Sequence, residues 1–293
     1  MEQVQTSGTL PDLSNKTAVV TGAGRNIGRM IIQRLSEQGA HIYAISRDEI
    51  STEGLRDNVE PMQMNPTRME PIQRGSERIR EEVDHVDILI HAALVSIAPR
   101  FRSAEGHELM LATNYLGFVM LAHELAPAMR LSESPRVVLA DTGRPIDVDI
   151  DLDRLDADID LPWDVAYAHS RLAAMMFALE LSSRASTSRL SLVPVMGEAK
   201  DRSLDAYHSL RRRYHTIMDR ITGTPPDAPV APLIYASTAT EARRGGYYAQ
   251  YRRGRLRVDQ IADRLPPLAA SQETRNELWQ RTQDMLGIQL AIA

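Results

Sequence analysis

Eight residues near the N-terminus, Thr21-Gly22-Ala23-Gly24-Arg25-Asn26-Ile27-Gly28, constrain this chain more than any other stretch. They follow an apolar run, Thr17-Ala18-Val19-Val20, and open a helical pattern from Arg29 to Gln38. A strand, a glycine-rich turn and a helix in that order build a phosphate-binding element. The glycines let the backbone turn sharply and let a pyrophosphate approach closely. The first helical N–H groups, at Asn26, Ile27 and Gly28, then face the phosphates with the positive end of the helix dipole. A lone glycine pattern says little, but this one stands in the strand–turn–helix context that gives it meaning.

Beyond that turn, apolar strands alternate with helical periodicity. Residues 17–21 predict a first strand and 26–38 a first helix, stopped at Gly39. A second strand falls at 41–46, a short third lies within 60–67, and an amphipathic charged helix covers 70–83. Residues 86–92 predict a fourth strand whose Ile88-Leu89-Ile90 centre suits burial on both faces of a parallel sheet. A long helix over 108–129 follows, with Pro127 set to kink or end its last turn. Then come a strand at 136–140, a helix at 165–184 and a strand at 190–195. This alternation predicts an α/β fold, a Rossmann-type doubly wound parallel sheet with helices on both faces. Residues 13–293 read as one dinucleotide-binding domain with a lid over 200–234, preceded by a polar tail at 1–12.

Composition excludes several function classes. A net charge of −5 argues against a general nucleic-acid or anionic-membrane binder. With no cysteine there is no disulfide, thiol nucleophile or thiolate metal site, which suits a reducing compartment. No uninterrupted apolar run reaches the roughly 18 residues of a transmembrane helix. Residues 1–11 lack an apolar signal core, so the expectation is a cytoplasmic protein acting on a small molecule.

Two segments break the rhythm. Residues 147–161 read DVDIDLDRLDADIDL, with seven aspartates among apolar residues. The glycine turn and fixed ligand spacing of a calcium loop are missing, so no metal site is expected and a solvated loop or edge strand is preferred. Residues 205–232 carry Arg211-Arg212-Arg213 and Pro225-Pro226 where such folds insert a lid.

Four motifs resemble the short-chain dehydrogenase/reductase superfamily: the glycine turn, ILIHAAL in the fourth strand, TNYLG at 113–117 and YAHSR at 167–171. The resemblance extends from residue 13 to about 288. Gly246-Tyr247-Tyr248, Glu277-Leu278-Trp279 and Met285-Leu286-Gly287 are similar to a tail of the retinol-dehydrogenase-like branch. The resemblance implies a sheet of about seven strands, a nicotinamide dinucleotide and a homodimer or homotetramer. Helices 108–129 and 165–184 carry more apolar surface than one sheet face needs, which also favours association; Leu172, Met175, Met176 and Leu179 are read as core or subunit interface.

The resemblance also assigns roles. At the end of the second strand, Ser46 stands where an NAD-specific site places an acid, and Arg47 follows. A carboxylate repels a 2′-phosphate and a guanidinium binds it bidentately, so Arg47, with Arg25 beside it, favours NADP(H) over NAD(H). Asn65 replaces an adenine-binding aspartate, and Ala92 belongs to the cofactor wall. Tyr167 is implied as proton donor or acceptor. A cation at i+4 shares its helix face and lowers the phenol pKa from its usual value near 10. That cation is Arg171 instead of the usual lysine, and an arginine cannot release a proton. Thr142 replaces the substrate-polarising serine, and Asn114 matches an asparagine that organises a water near the tyrosine.

Several positions depart from the family pattern. Asp141 stands where a small polar residue is usual. A buried carboxylate there either opposes tyrosinate formation or takes a partner such as Arg144 or Arg171. Ala92-Ala93-Leu94 replaces Asn-Ala-Gly, so Leu94 puts a side chain where glycine leaves room for the cofactor. Met196-Gly197 replaces a proline-glycine step, and Asp201 replaces a threonine that meets the carboxamide.

Three functions follow. The first is an NADP(H)-dependent oxidoreductase interconverting a carbonyl and a secondary alcohol. The second is a non-redox enzyme on the same scaffold, a cyclase, dehydratase or isomerase. The third is an NADP-binding protein that has lost catalysis. The Thr–Tyr–Arg set also resembles halohydrin dehalogenases, but those replace the glycine turn that this chain keeps.

Overall fold

The apolar runs pair as parallel strands in a computed structural model of the chain. The model describes residues 2–5, 11–24, 26–96, 101–141, 146–156, 161–184, 191–192, 230–250 and 255–291. Strands β2 (Thr17–Thr21), β3 (His41–Ser46) and β4 (Val59–Gln63) run outward to one side. The chain then crosses back, and β5 (Ile88–His91), β6 (Arg136–Leu139) and β7 (Ser191–Leu192) extend the sheet to the other. The order β4-β3-β2-β5-β6-β7 reverses direction between β2 and β5. Open α/β sheets bind ligands outside the strand ends at such a point. Six parallel strands are present among the described residues, against an expectation of about seven.

Strand alternation sorts the core into two layers. Val19, Tyr43, Leu89 and Val137 lie side by side and face one way; Val20, Ala44, Ile90 and Val138 occupy the next row and face the other. On the second face, α1 (Asn26–Glu37) packs Ile31, Ile32 and Leu35, and α5 (Ala231–Thr238) packs Leu233, Ile234 and Ala236. The first face is covered by α2 (Met69–Glu82), α3 (Leu109–Met129) and α4 (Trp163–Arg184). Each fully buried Ile or Leu in these layers stabilises the fold by about 1.5–3 kcal/mol.

Helix α3 is long and apolar enough to cross a membrane by length and composition, but 83% of its apolar window is buried inside the protein. It packs against α2 and α4 as a core helix. It runs two residues past Pro127 and contains a π-helical turn, Ala112–Leu116. The apolar surface that argued for subunit association is largely covered from within. Leu172, Met175 and Met176 are buried, and α4 is overlaid by the C-terminal helix α6 (Gln272–Leu286). There Trp279 stacks on Phe177 with centroids 5.0 Å apart, and the Arg184 guanidinium lies 4.4 Å from the Trp279 ring centroid.

Two segments expected to be irregular are anchored. Within the 1–12 tail, β1 (Glu2–Gln5) adds to a hairpin of β8 (Gly246–Gln250) and β9 (Arg255–Gln260), giving a separate antiparallel sheet ordered β1-β9-β8. Its partner lies some 250 residues away, pairing Val4 with Leu256, so no local pattern announces it. In the aspartate-rich segment, Asp149 accepts hydrogen bonds from the Leu268 and Ala269 N–H groups, and Ile150 and Leu155 are buried. Asp156 accepts from Glu108 N–H and pairs with His107 Nδ1 at 2.6 Å. The arginine and proline runs of the lid lie outside the described residues.

Candidate active site

At the switch point the glycine turn is cast tightly against its neighbours. Gly22 has φ +71°, and a Cβ there would meet Ala92 O at 2.6 Å and Ala93 N at 2.8 Å. A Cβ on Gly24 would meet Ser46 Oγ at 2.8 Å, and one on Gly28 would meet Gly22 O at 2.0 Å. No side chain fits at Gly22 or Gly28, where the obstacle is backbone, and the first turn of α1 follows at once. This cradle fits the pyrophosphate of a dinucleotide, held by backbone N–H groups. Ile27 packs its side chain into the layer below. Arg25 lies outside the described residues, as does the Asn26 side chain.

Sequence reasoning gave His91 no role. Its Nδ1 lies 3.0 Å from Thr21 Oγ1, which also accepts from Ala92 N–H at 3.2 Å and Ala93 N–H at 3.3 Å. Burial pushes the imidazole down to about 4, which keeps it neutral. A threonine ending one strand and a histidine ending the next thus clamp the two switch-point turns together.

Around the end of β3, Ser46 is half-buried against the turn and Arg47 is exposed. Arg47 Nε and Nη2 each donate to Asp48 at 3.2 Å, with both side chains more than half exposed. Such a pair contributes less than about 1 kcal/mol. Arg29 on α1 donates to the Ser51 and Glu53 carbonyls and pins the loop that carries Arg47. Asn65 Oδ1 accepts from Thr67 N–H at 3.0 Å and Thr67 Oγ1 at 2.8 Å. That turn occupies its oxygen.

A cleft opens beyond β5 and β6, lined by His91, Leu94, Asn114, Asp141, Arg171 and Met175. Leu94 therefore takes part in its wall, as the sequence implied. Tyr167 and Arg171 sit one turn apart on α4, with the guanidinium carbon 5.6 Å from the phenol centroid. Arg171 Nε donates to Asp141 Oδ1 at 2.6 Å and Nη2 to Oδ2 at 2.7 Å; both side chains are buried. Burial opposes the arginine charge, and Asp141 more than offsets it, holding Arg171 above its ordinary range. Of the two partners considered for Asp141, Arg171 is engaged, with two of its nitrogens on the carboxylate, and Arg144 lies outside the described residues. Thr142 lies outside the described residues.

Asn114 stands in the π-helical turn. Its Oδ1 accepts from Val95 N–H at 2.8 Å, and its Nδ2 donates to Val95 O at 2.9 Å and Ser170 Oγ at 3.0 Å. Ser170 in turn donates to the Tyr167 carbonyl at 2.8 Å. The Asn114 side chain thus clips the loop after β5 to the helix that carries Tyr167. A second phenol, Tyr247 on β8, was not anticipated as part of this site. Burial first and the Asp141 charge next push it up to about 12, against the pull of Arg264 and Arg171. Arg264 lies over its ring, 4.5 Å from the centroid.

A family model described as short chain dehydrogenase matches residues 16–141, the span from β2 to Asp141. Over that span the chain is similar to the short-chain dehydrogenase/reductase superfamily. It is 24% identical to retinol dehydrogenase 13 of Mus musculus over 95% of its own length and 86% of that protein's. It is 26% identical to dehydrogenase/reductase SDR family member 13 of Bos taurus, over 95% and 75%. These relatives put it with the retinol-dehydrogenase-like branch. Its fold matches the crystal structure of an uncharacterised protein from Mycobacterium paratuberculosis with a TM-score of 0.72, at 20% identity, covering 96% of this chain and 97% of that one. The superfamily is one of oxidoreductases that bind NAD(P), in keeping with the glycine cradle.

Proposed function

We propose that this chain is an NADP(H)-dependent oxidoreductase that interconverts a carbonyl and a secondary alcohol on a small molecule. The observation that carries the reading is the placement of Tyr167 and Arg171, one helical turn apart, on a helix bordering the cleft beyond the glycine cradle. The dinucleotide, when bound, supplies or accepts the hydride. The chain's own residues do the rest. Tyr167 exchanges the proton of the substrate oxygen, Thr142 orients that oxygen, and Asn114, through Ser170, fixes the helix that aims the phenol. Arg171, in its family role, contacts the ribose of the dinucleotide.

The preference for NADP(H) is supported by the end of β3. Ser46 puts no carboxylate there, and Arg47 is exposed and paired with an exposed aspartate, a contact worth little that a 2′-phosphate can replace. Ala92 closes the opposite wall of the turn. A homodimer or homotetramer in the cytoplasm completes the reading.

The test is consumption of NADPH, against NADH, over a panel of aldehydes and ketones, with Tyr167→Phe as control. A mutant that keeps wild-type turnover removes Tyr167 from the chemistry. A second reading, non-redox catalysis or NADP binding without turnover, is favoured by Leu94 in the cleft wall and by the carboxylate on Arg171. Product formed with no change in the dinucleotide, or stabilisation by NADPH with no turnover of any substrate, selects it.

A further inference from the structure

We propose that Tyr115 and Thr282 are a pair of positioning residues: through their buried hydroxyl contact the C-terminal helix α6 holds the π-helical turn that carries Asn114, and with it the helix that bears Tyr167. The inference rests on the oxidoreductase reading above and deepens it, since it gives that site a support from an element far beyond the motifs that mark it.

The turn Ala112–Leu116 closes with Gly117 N–H donating to Ala112 O, five residues back. An α-helix closes on the fourth residue back, so this turn is wider by one residue and its side chains leave the ordinary register. Such turns are rare and frequent at functional sites. All five residues are buried. Two adjacent ones reach different elements. Asn114 holds Val95 after β5 and Ser170 on α4. Tyr115 OH pairs with Thr282 Oγ1 on α6 at 2.5 Å, and Thr282 Oγ1 donates to Leu278 O at 2.6 Å.

Tyr115 and Thr282 are both fully buried. A buried hydroxyl left without its partner bears the whole penalty of its desolvation, so each group is bound to the other. Burial also pushes the Tyr115 phenol above its ordinary value of 10, so it stays protonated and uncharged at neutral pH. Aromatic packing flanks the contact. The Tyr115 ring meets Phe177 of α4 edge-on with centroids 5.9 Å apart, and Phe177 stacks on Trp279 of α6. Apolar contacts draw the three helices together but are non-directional, so they leave the setting of the turn loose. A hydrogen bond weakens steeply with distance and angle, so the hydroxyl pair fixes that setting.

The links to the site are continuous. Thr282 meets Tyr115, the adjoining Asn114 donates to Ser170 Oγ at 3.0 Å, and Ser170 donates to the Tyr167 carbonyl at 2.8 Å. These links lie outside the glycine turn, so loosening them misplaces the phenol before it disturbs the phosphate cradle.

Amide hydrogen exchange of the chain without dinucleotide, together with steady-state kinetics, tests this on Tyr115→Phe, Thr282→Val, the double variant and Thr282→Ser. Either of the first two should speed exchange over residues 113–118 and at Val95 about five- to tenfold, the worth of one hydrogen bond, and leave β2 unmoved. With an accepted carbonyl, kcat should fall about ten- to hundredfold, as a small misplacement of the proton donor implies, while the KM for NADPH stays the same. The double variant should lose no more than either single one, because the two hydroxyls form one contact. Thr282→Ser keeps the hydroxyl and should hold exchange and kcat near wild type. Unmoved exchange over 113–118, an equal acceleration in β2, losses that add in the double variant, or a kcat that holds while the turn loosens overturns the inference. Where Thr282→Val does not fold, Tyr115→Phe decides alone. Absence of turnover with every carbonyl overturns the oxidoreductase reading, whereas exchange in the single and double variants still judges whether α6 holds the turn.

Discussion

Arg171 and Asp141, thirty residues apart in sequence, meet as a buried two-point ion pair, Nε to Oδ1 at 2.6 Å and Nη2 to Oδ2 at 2.7 Å. The pair joins the end of β6 to the middle of α4 beneath the cleft. Breaking a buried pair by removing one partner leaves an uncompensated charge. Arg171→Met should therefore destabilise the fold by about 3–5 kcal/mol, and Arg171→Met/Asp141→Leu by much less. Chemical denaturation of both variants measures the difference. Equal losses would mean that the pair is not coupled.

In the proposed reading Tyr167→Phe removes the proton donor. Turnover of NADPH with any accepted carbonyl should fall about 10²–10⁴-fold, while the thermal shift produced by NADPH stays as in wild type. A loss of both would assign Tyr167 to cofactor binding or folding.

Arg47→Ala should raise the KM for NADPH about tenfold, the worth of one charge-assisted contact to a phosphate. The KM for NADH should stay the same. Steady-state kinetics with the two cofactors separates this outcome from a general loosening of the loop, which would raise both.

Gly28→Ala places a methyl group 2.0 Å from the Gly22 carbonyl oxygen, so the turn must open. The expected result is loss of dinucleotide binding by calorimetry, with destabilisation of about 1–3 kcal/mol. Unchanged binding would show that the turn does not cradle the phosphates.

His107 and Asp156 tie the start of α3 to the aspartate-rich segment. The hydrogen bond with Asp156 raises His107 above its ordinary 6.5, with burial opposing. Asp156 is pushed up by burial but pulled further down, below 3.8, by His107 and the Glu108 N–H. Stability from His107 is fully present below pH 6.5 and lost as pH rises through its raised folded value. Stability from Asp156 is present above 3.8 and lost as pH falls through its lowered value. The gap in Tm between wild type and His107→Gln should be widest between these limits and shrink toward alkaline pH. A gap independent of pH would remove the ion pair as its cause.

The strand–turn–helix at 17–38 was legible because all its determinants are local: an apolar run, glycines at fixed offsets and a helical period. The same holds for Tyr167 and Arg171, whose common helix face follows from four-residue spacing. Asp141 was legible only as an anomaly. Arg171 stands thirty residues away, and only the packing of α4 against β6 brings it onto that carboxylate. Asn114 was recognisable, but its partners Val95 and Ser170 come from two other elements, so its duty as a clip was not. The clamp of Thr21 on His91 and the pairing of Val4 with Leu256 were invisible for the same reason.

The amino-acid sequence by itself determined the order of strands and helices and the glycine turn, since each rests on periodicity, sterics and dipoles acting within a few residues. Tertiary structure alone decided which charged groups meet. It brought the Asp141 carboxylate from one strand end onto the Arg171 guanidinium of a distant helix. Electrostatic fields act through space, and the distances that set them exist only once the sheet has assembled and its helices have closed over it.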